Sequence, residues 1–328
     1  MNFRNLLPVL AAGIILACVL PPAAATYAGD RPLETVFSGE FKGGYWYSTG
    51  NSTYTGSLDP GSSCSIAFAP GIPSGAAVRY QRLYVYWTWS RSGQEPAYPE
   101  IVVWQEGDDP VSLEREARYI DNKGFAGTND FYTGMDSCLT GPLPEDSPYT
   151  VTIRNTASDE RSFSLYGAGV LSVYEDPDLP LRKIQVLEGA DLLFSDFGIT
   201  PDMATSTLRL EGKVDREDMQ SAKLFLIAPS GGYSRSDAPG KNALMVNRVP
   251  EESLPPSFSR VFSLMFPGFS GKTWTDVFSG DETHQIGTEE KDITRYLRSE
   301  GNKAEVQDRG DYLQLTNAVL QITMKEGE

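Results

Sequence analysis

The feature that most constrains this chain is that it repeats itself. Phe41-Lys42-Gly43-Gly44-Tyr45-Trp46-Tyr47 corresponds to Leu187-Glu188-Gly189-Ala190-Asp191-Leu192-Leu193, with Gly43 and Gly189 146 positions apart. Further matches follow in the same order: residues 81–85 with 222–226, 129–134 with 275–280, and 170–173 with 319–322. Collinear matches across 328 residues predict two domains of similar fold from an internal duplication, 26–178 and 179–328. The junction, Glu175-Asp176-Pro177-Asp178-Leu179-Pro180, carries prolines and acids that interrupt a strand.

Within each half the apolar period is two. Tyr149, Val151 and Ile153 alternate with Thr150, Thr152 and Arg154, as in a strand with one wet face. Leu83, Val85, Trp87 and Trp89 share one face of another strand, opposite Tyr84, Tyr86 and Thr88, so both of its faces are partly apolar. Residues 101–104 and 224–228 are continuous apolar runs suited to the middle of a packed sandwich. Phe163 and Leu165 stay in phase with Leu171 and Val173, whereas Leu313 and Leu315 fall out of phase with Leu320 and Ile322, which predicts a β-bulge in the last strand. With 31 Gly and 22 Pro arguing against a helical bundle, only 292–298 reads as a helical turn. Asp292 suits its N-cap, Ile293, Tyr296 and Leu297 share a face, and Gly301 lies beyond its end. The expected class is all-β, two tandem sandwiches.

Residues 1–25 have the form of a secretory signal peptide: Arg4, an apolar run of about 15 residues from Leu6 to Leu20, then Pro21-Pro22-Ala23-Ala24-Ala25 as a small-residue cleavage site. That run is shorter than the roughly 20 residues a membrane-spanning helix needs, and no other stretch qualifies, so the mature chain is expected to have no transmembrane segment. Cys18 falls in the removed segment. Cys64 and Cys138 remain, an even pair in an oxidising compartment, and a disulfide between them is expected. It would close a loop of about 75 residues and stabilise by ~4 kcal/mol. Asn51-Ser52-Thr53 is the one N-glycosylation acceptor, relevant in a host that performs that modification.

The 28 basic and 44 acidic residues leave a net charge of −16, which excludes a basic nucleic-acid-binding surface. His284 is the one imidazole for a Ser/His or Cys/His pair. There is no Walker A loop, H-E-x-x-H or Cys-rich zinc signature, and Gly268-Phe269-Ser270-Gly271 fails the G-x-S-x-G elbow. A non-enzymatic protein is expected; a carboxylate-pair glycosidase, which needs no histidine, is the catalytic alternative. Most aromatics belong in the cores. Tyr84, Tyr86 and Trp89, beside the 90–99 loop, are the outward candidates for stacking on a glycan, with Tyr233 in the glycine-rich counterpart loop 229–241. No cofactor is expected apart from calcium, for which Asp130 and Asp276, in equivalent positions, and Asp281 and Glu282 are weak candidates lacking the D-x-[DN]-x-[DN]-G spacing. Arg309-Gly310-Asp311 reads as a hairpin turn before the final strand.

Asp292-Ile293-Thr294-Arg295-Tyr296-Leu297 followed by Gly301-Asn302-Lys303-Ala304-Glu305-Val306 resembles the D-V-T-x-x-L … G-x-N-x-x-x-V passage of galactose-binding-like jelly rolls. The resemblance implies a jelly roll in each half without assigning a ligand. The first half departs from it at Asp136-Ser137-Cys138-Leu139-Thr140-Gly141-Pro142, where the disulfide would replace the turn. Both halves, including Tyr166-Gly167-Ala168-Gly169-Val170-Leu171 and Gly310-Asp311-Tyr312-Leu313, resemble a family of secreted archaeal proteins, many from methanogens, designated a domain of unknown function. That resemblance covers most of the mature chain and implies an exported cell-envelope protein, with no catalytic or binding residues to carry over. The expectation is a secreted or surface-bound, non-enzymatic envelope or extracellular-matrix protein with a structural or adhesive role. Its partners would be envelope proteins, surface glycans or further copies of itself; a carbohydrate-binding module is the alternative.

Overall fold

Alternating apolar and polar residues punctuated by glycine and proline make strands and tight turns, and the computed structural model is built almost wholly of antiparallel strands. It describes residues 31–325 apart from 92–95, 105–108, 124–130, 142, 145–146, 197, 234–238 and 249–270; the expected signal peptide, Cys18 and Asp130 lie outside the described residues. Strands are numbered in chain order. In the first half, β1 (Glu34–Ser48), β10 (Phe163–Glu175), β4 (Ala77–Arg91), β8 (Phe131–Leu139) and β7 (Arg115–Asp121) lie side by side in that order. Facing them are β3 (Ser63–Phe68), β9 (Tyr149–Asn155), β5 (Pro99–Trp104) and β6 (Val111–Ser112), while the short β2 (Ser57–Leu58) pairs with β10. In the second half the order is β11 (Leu181–Leu193), β18 (Leu313–Met324), β13 (Met219–Pro229), β16 (Ile286–Asp292), faced by β12 (Thr205–Leu210), β17 (Asn302–Asp308), β14 (Asn242–Val246), β15 (Lys272–Thr275).

Renumbered 1 to 8 within the second half, those strands run 1-8-3-6 in one sheet and 2-7-4-5 in the other, the interleaving of a jelly roll. The first half has the same order with β2 and β7 added. Repeat matches 41–47/187–193, 81–85/222–226 and 170–173/319–322 fall on corresponding strands; the fourth does not, since 131–134 open β8 whereas 275 closes β15 and 276–280 follow it.

Each half has its own core, one around Leu83, Val85, Trp87, Val151 and Ile153, the other around Leu224, Leu226, Leu244, Val306 and Leu320. A third core lies between the halves. Tyr80, Tyr84, Tyr86, Met135, Tyr166, Leu171 and Val173 of the first half pack against Ile184, Val186, Ile227, Ile286 and Val319 of the second. Four sheets are therefore stacked with three cores between them, and the two middle sheets are buried on both faces. They are also one continuous sheet that folds over, because β1 belongs to both: residues 34–42 pair with β11 and residues 43–48 with β10. At the switch a Cβ on Gly43 would stand 2.0 Å from the Tyr174 carbonyl oxygen, so only glycine permits the approach.

The expected bulge in the second half is a slip of β11 against β18 between Glu188 and Asp191, and it lets Leu313 and Leu315 enter the same core as Ala318, Leu320 and Ile322. The first half has one too, which corrects the in-phase reading. There β10 slips against β4 between Leu165 and Gly167, with Gly167 at φ +134°, so Phe163 and Leu165 face the sandwich core while Leu171 and Val173 face the third core. A strand buried on both faces is apolar throughout, and its alternation no longer reports register. The helical turn is a single 3-10 turn, Thr294–Tyr296, preceded by Asp292, whose Oδ1 accepts the Thr294 N–H at 2.9 Å.

The expected disulfide is corrected: Cys64 and Cys138 are free thiols. They sit on β3 and β8, in the two facing sheets of the first sandwich, and both touch the core between them. Burial, followed by the Asp136 charge, pushes the Cys138 thiol up to about 12, and burial raises Cys64 as well. Thiol titration should therefore find Cys138 unreactive near neutral pH in the folded protein and both thiols reactive once it is unfolded. An unfolded, unreduced protein in which neither thiol reacts would contradict this.

Candidate functional site

Tyr84 and Tyr86 are fully buried, which corrects their reading as outward glycan platforms. Alternation along β4 does put Leu83, Val85 and Trp87 on one face and Tyr84 and Tyr86 on the other. The second face meets the other half of the protein instead of solvent. Their hydroxyls do the work of joining the halves: Glu188 of β11, 3% exposed, accepts hydrogen bonds from Tyr84 at 2.8 Å, Tyr119 at 3.1 Å, Ser137 at 3.2 Å, and Tyr80. Tyr86 donates to Asn317 of β18 at 3.1 Å, and Thr133 to Gln314 at 2.6 Å. Burial and then the Glu188 charge hold the Tyr84, Tyr80 and Tyr119 phenols above their ordinary range, so they remain donors at any physiological pH. A buried carboxylate is tolerated when hydrogen bonds of this kind replace water.

Trp89 behaves differently from its neighbours. Alternation places it beside Trp87 in the sandwich core, but β4 slips against β8 between Trp87 and Ser90, and Trp89 adopts φ +58°. The bulge turns the indole outward, 45% exposed, while Trp87 stays buried. Its ring centroid lies 4.1 Å from that of Phe131 and 6.1 Å from that of Tyr312, the latter ring within 11° of parallel. Phe194 meets Tyr312 edge-on at 5.1 Å. Tyr312 also has a left-handed backbone, φ +65°. Such non-glycine residues cost on the order of 1–3 kcal/mol each and persist only where their surroundings over-determine them. The aromatic row draws Trp89 and Phe131 from the first half and Phe194 and Tyr312 from the second.

Trp89 borders a cleft of about 760 Å³ lined also by Arg91, Pro96, Ala97, Asp159, Glu160, Arg161 and Ser162. Arg161 donates from Nε to Asp159 at 2.7 Å and holds that carboxyl below its usual range. An exposed indole face next to carboxylates and guanidinium groups offers a flat apolar surface with orienting hydrogen-bond partners, in a volume suited to a small molecule.

The other expected positions are separate from this cleft's lining. Tyr233 is half-buried, its N–H bonded to the Ser230 carbonyl at 3.1 Å, and the neighbouring loop residues 234–238 lie outside the described residues. Asn51 is exposed, with Oδ1 accepting the Ala67 N–H at 2.7 Å. Asp276 accepts the Gly240 and Lys241 N–H groups, Asp281 those of Thr283 and His284, and Glu282 is exposed. Among the described residues, these acids do not gather into a group that could hold a metal ion. Asp311 of the Arg-Gly-Asp tripeptide is buried, accepting from Gly232 N–H at 2.8 Å and Asn242 Nδ2 at 2.6 Å, so the tripeptide is a turn held from within. No helix among the described residues is long and apolar enough to cross a membrane.

Sequence reasoning missed the polar groups of the seam, above all Glu188, Asp121, Lys123 and Asp191. The available signal was two acids, Glu188 and Asp191, inside an otherwise apolar run, residues 186–193.

The comparison with curated proteins gives no match. Among solved structures, a chain from the atomic structure of the Sulfolobus Turreted Icosahedral Virus aligns over 86% of this chain and 90% of its own, at 10% identity and a TM-score of 0.20, which carries no weight for fold or function. The model of the family described as protein of unknown function (DUF3344) matches residues 26–323, taking in both jelly rolls, and the chain belongs to that family.

Proposed function

We propose that this is an exported, non-enzymatic component of an archaeal cell envelope or extracellular matrix, of the kind found in methanogens, with a structural or adhesive role and an origin in duplication of one jelly-roll module. The signal-peptide character of residues 1–25 supports export, and the matching strand order of the halves supports duplication. The observation that carries the structural role is how the chain enters and leaves the middle sheet. Glu34, opening β1, pairs with Glu188 toward one end of β11, while Thr323, next to the last residue of β18, pairs with Arg182 at the other end. Tension applied through the two ends of the folded body therefore slides β1 and β18 along β11. The ladder bonds on either side of β11 are then loaded together, so none can fail alone, although each contributes only about 1 kcal/mol net. Forced unfolding is governed by that barrier.

Pulling the protein apart between attachments at Leu33 and Lys325 should need a severalfold higher force than pulling between Asp178 and Lys325. The latter two leave the sheet at one end, so β18 peels from β11 pair by pair. Equal forces in the two geometries would contradict the reading.

A second reading, a carbohydrate-binding module, is favoured by the exposed Trp89 beside its charged cleft. Saturable binding to an envelope polysaccharide should weaken at least roughly tenfold in Trp89→Ala, about 1.4 kcal/mol, with the melting temperature retained. No binding across a glycan array would remove it.

A further inference from the structure

We propose that Lys123 and Asp191 are joined by an isopeptide bond between Lys123 Nζ and Asp191 Cγ, formed without any added factor and with Asp121 as proton shuttle, so that the two jelly rolls are covalently cross-linked. Lys123 follows β7 of the first half and Asp191 lies on β11 of the second. Both side chains are 0% exposed, and Nζ stands 2.7 Å from Asp191 Oδ1 and 2.9 Å from Asp121 Oδ2. Fully buried lysines are rare, and a buried ion pair is a poor stabiliser because desolvation cancels its attraction. Condensation to an amide removes both charges from the interior.

Four features of the site favour that reaction over a resting salt bridge. The bulge leaves Gly189 and Ala190 without partners on β18 and resets the register so that Asp191 pairs with Leu315 while its carboxyl lies against Lys123. Asp191 Oδ2 is buried without a well-formed hydrogen bond, the Ser206 hydroxyl being the polar group that approaches the carboxyl from β12; a carboxylate so weakly satisfied is ill suited to a permanent charge. Burial, only partly offset by Lys123, lifts Asp191 to about 6, in keeping with a carboxyl that readily takes up a proton. Asp121 is fixed in place: Oδ1 accepts from Arg31 Nε at 3.0 Å and Oδ2 from the Leu192 N–H at 2.8 Å, one residue beyond Asp191.

The atoms balance without an oxidant or co-reactant. Asp121 takes one proton from the Lys123 ammonium, and the freed lone pair attacks Asp191 Cγ, forming the N–C bond. Asp121 returns its proton to an Asp191 oxygen, a second proton leaves the nitrogen for the same oxygen, the C–O bond breaks, and water departs. One ammonium and one carboxylate become one amide and one water. Groups held in contact react with effective molarities of roughly 10⁵–10⁸ M, which speeds the attack, and the loss of two desolvated charges favours the amide over the ion pair.

The bond does not depend on the tension-bearing reading, and the test separates them. Intact mass of the purified protein should fall one water below the sequence mass. Proteolysis should yield a branched peptide containing Lys123 and Asp191. Lys123→Arg and Asp191→Ala should restore the full mass, Asp121→Ala should leave most molecules unlinked, and Asp191→Asn should lose ammonia in place of water. Full sequence mass in the folded wild-type protein, or loss of water with Lys123 and Asp191 in separate peptides, as from a cyclic imide, would overturn the proposal even if every variant failed to fold.

Discussion

The third core, packed between two sheets that already serve other cores, is the constraint on which the rest of the structure depends. A jelly roll ordinarily turns one face of each sheet inward and leaves the other wet. Here the outer faces of β4, β10, β11 and β18 are apolar and meet each other. Tyrosine suits such a seam because its ring supplies buried area while its hydroxyl reaches a polar partner. Tyr80, Tyr84 and Tyr119 converge on Glu188, and Tyr86 reaches Asn317, so hydrophobic contact and directional bonds hold one relative placement of the halves. Alternative placements would strand Glu188 in an apolar layer at a cost of several kcal/mol.

The bulges follow from that constraint. A strand serving two cores must send large residues to one side and then the other, and slips at Glu188–Asp191 and Leu165–Gly167 change the phase where the packing demands it. They also place chemistry. The first bulge brings Asp191 against Lys123, and the slip between Trp87 and Ser90 delivers Trp89 to the surface, where the aromatic row again draws on both halves. β1 closes the system by pairing with each half in turn.

Much of the fold was legible in the residues. Alternation marked Tyr149–Asn155, the matches at 81–85 and 222–226 fell on corresponding strands, and 292–297 folded as a turn. What alternation could not convey was what covers a second apolar face. Tyr84 and Tyr86 fit a ligand platform and a domain seam equally well in one dimension, because both require an aromatic face with a polar tip. Trp89 is exposed, yet its alternation puts it with Trp87, and the bulge that expels it leaves no mark in the apolar pattern. Counting cysteines suggests a pair, but pairing depends on whether the fold brings the two sulfurs together, and Cys64 and Cys138 stay separate thiols in the first sandwich core. The ionic triad was invisible because Asp121 and Lys123 meet Asp191 across 68 residues or more of chain.

Whether the seam makes one body of two halves is tested most directly by scanning calorimetry of the whole chain. A single transition, with calorimetric enthalpy equal to the van't Hoff enthalpy, is the result a shared core and a shared β1 require. Two transitions, or a calorimetric enthalpy about twice the van't Hoff value, would show that the halves unfold independently and would contradict the central place given to the tyrosine seam.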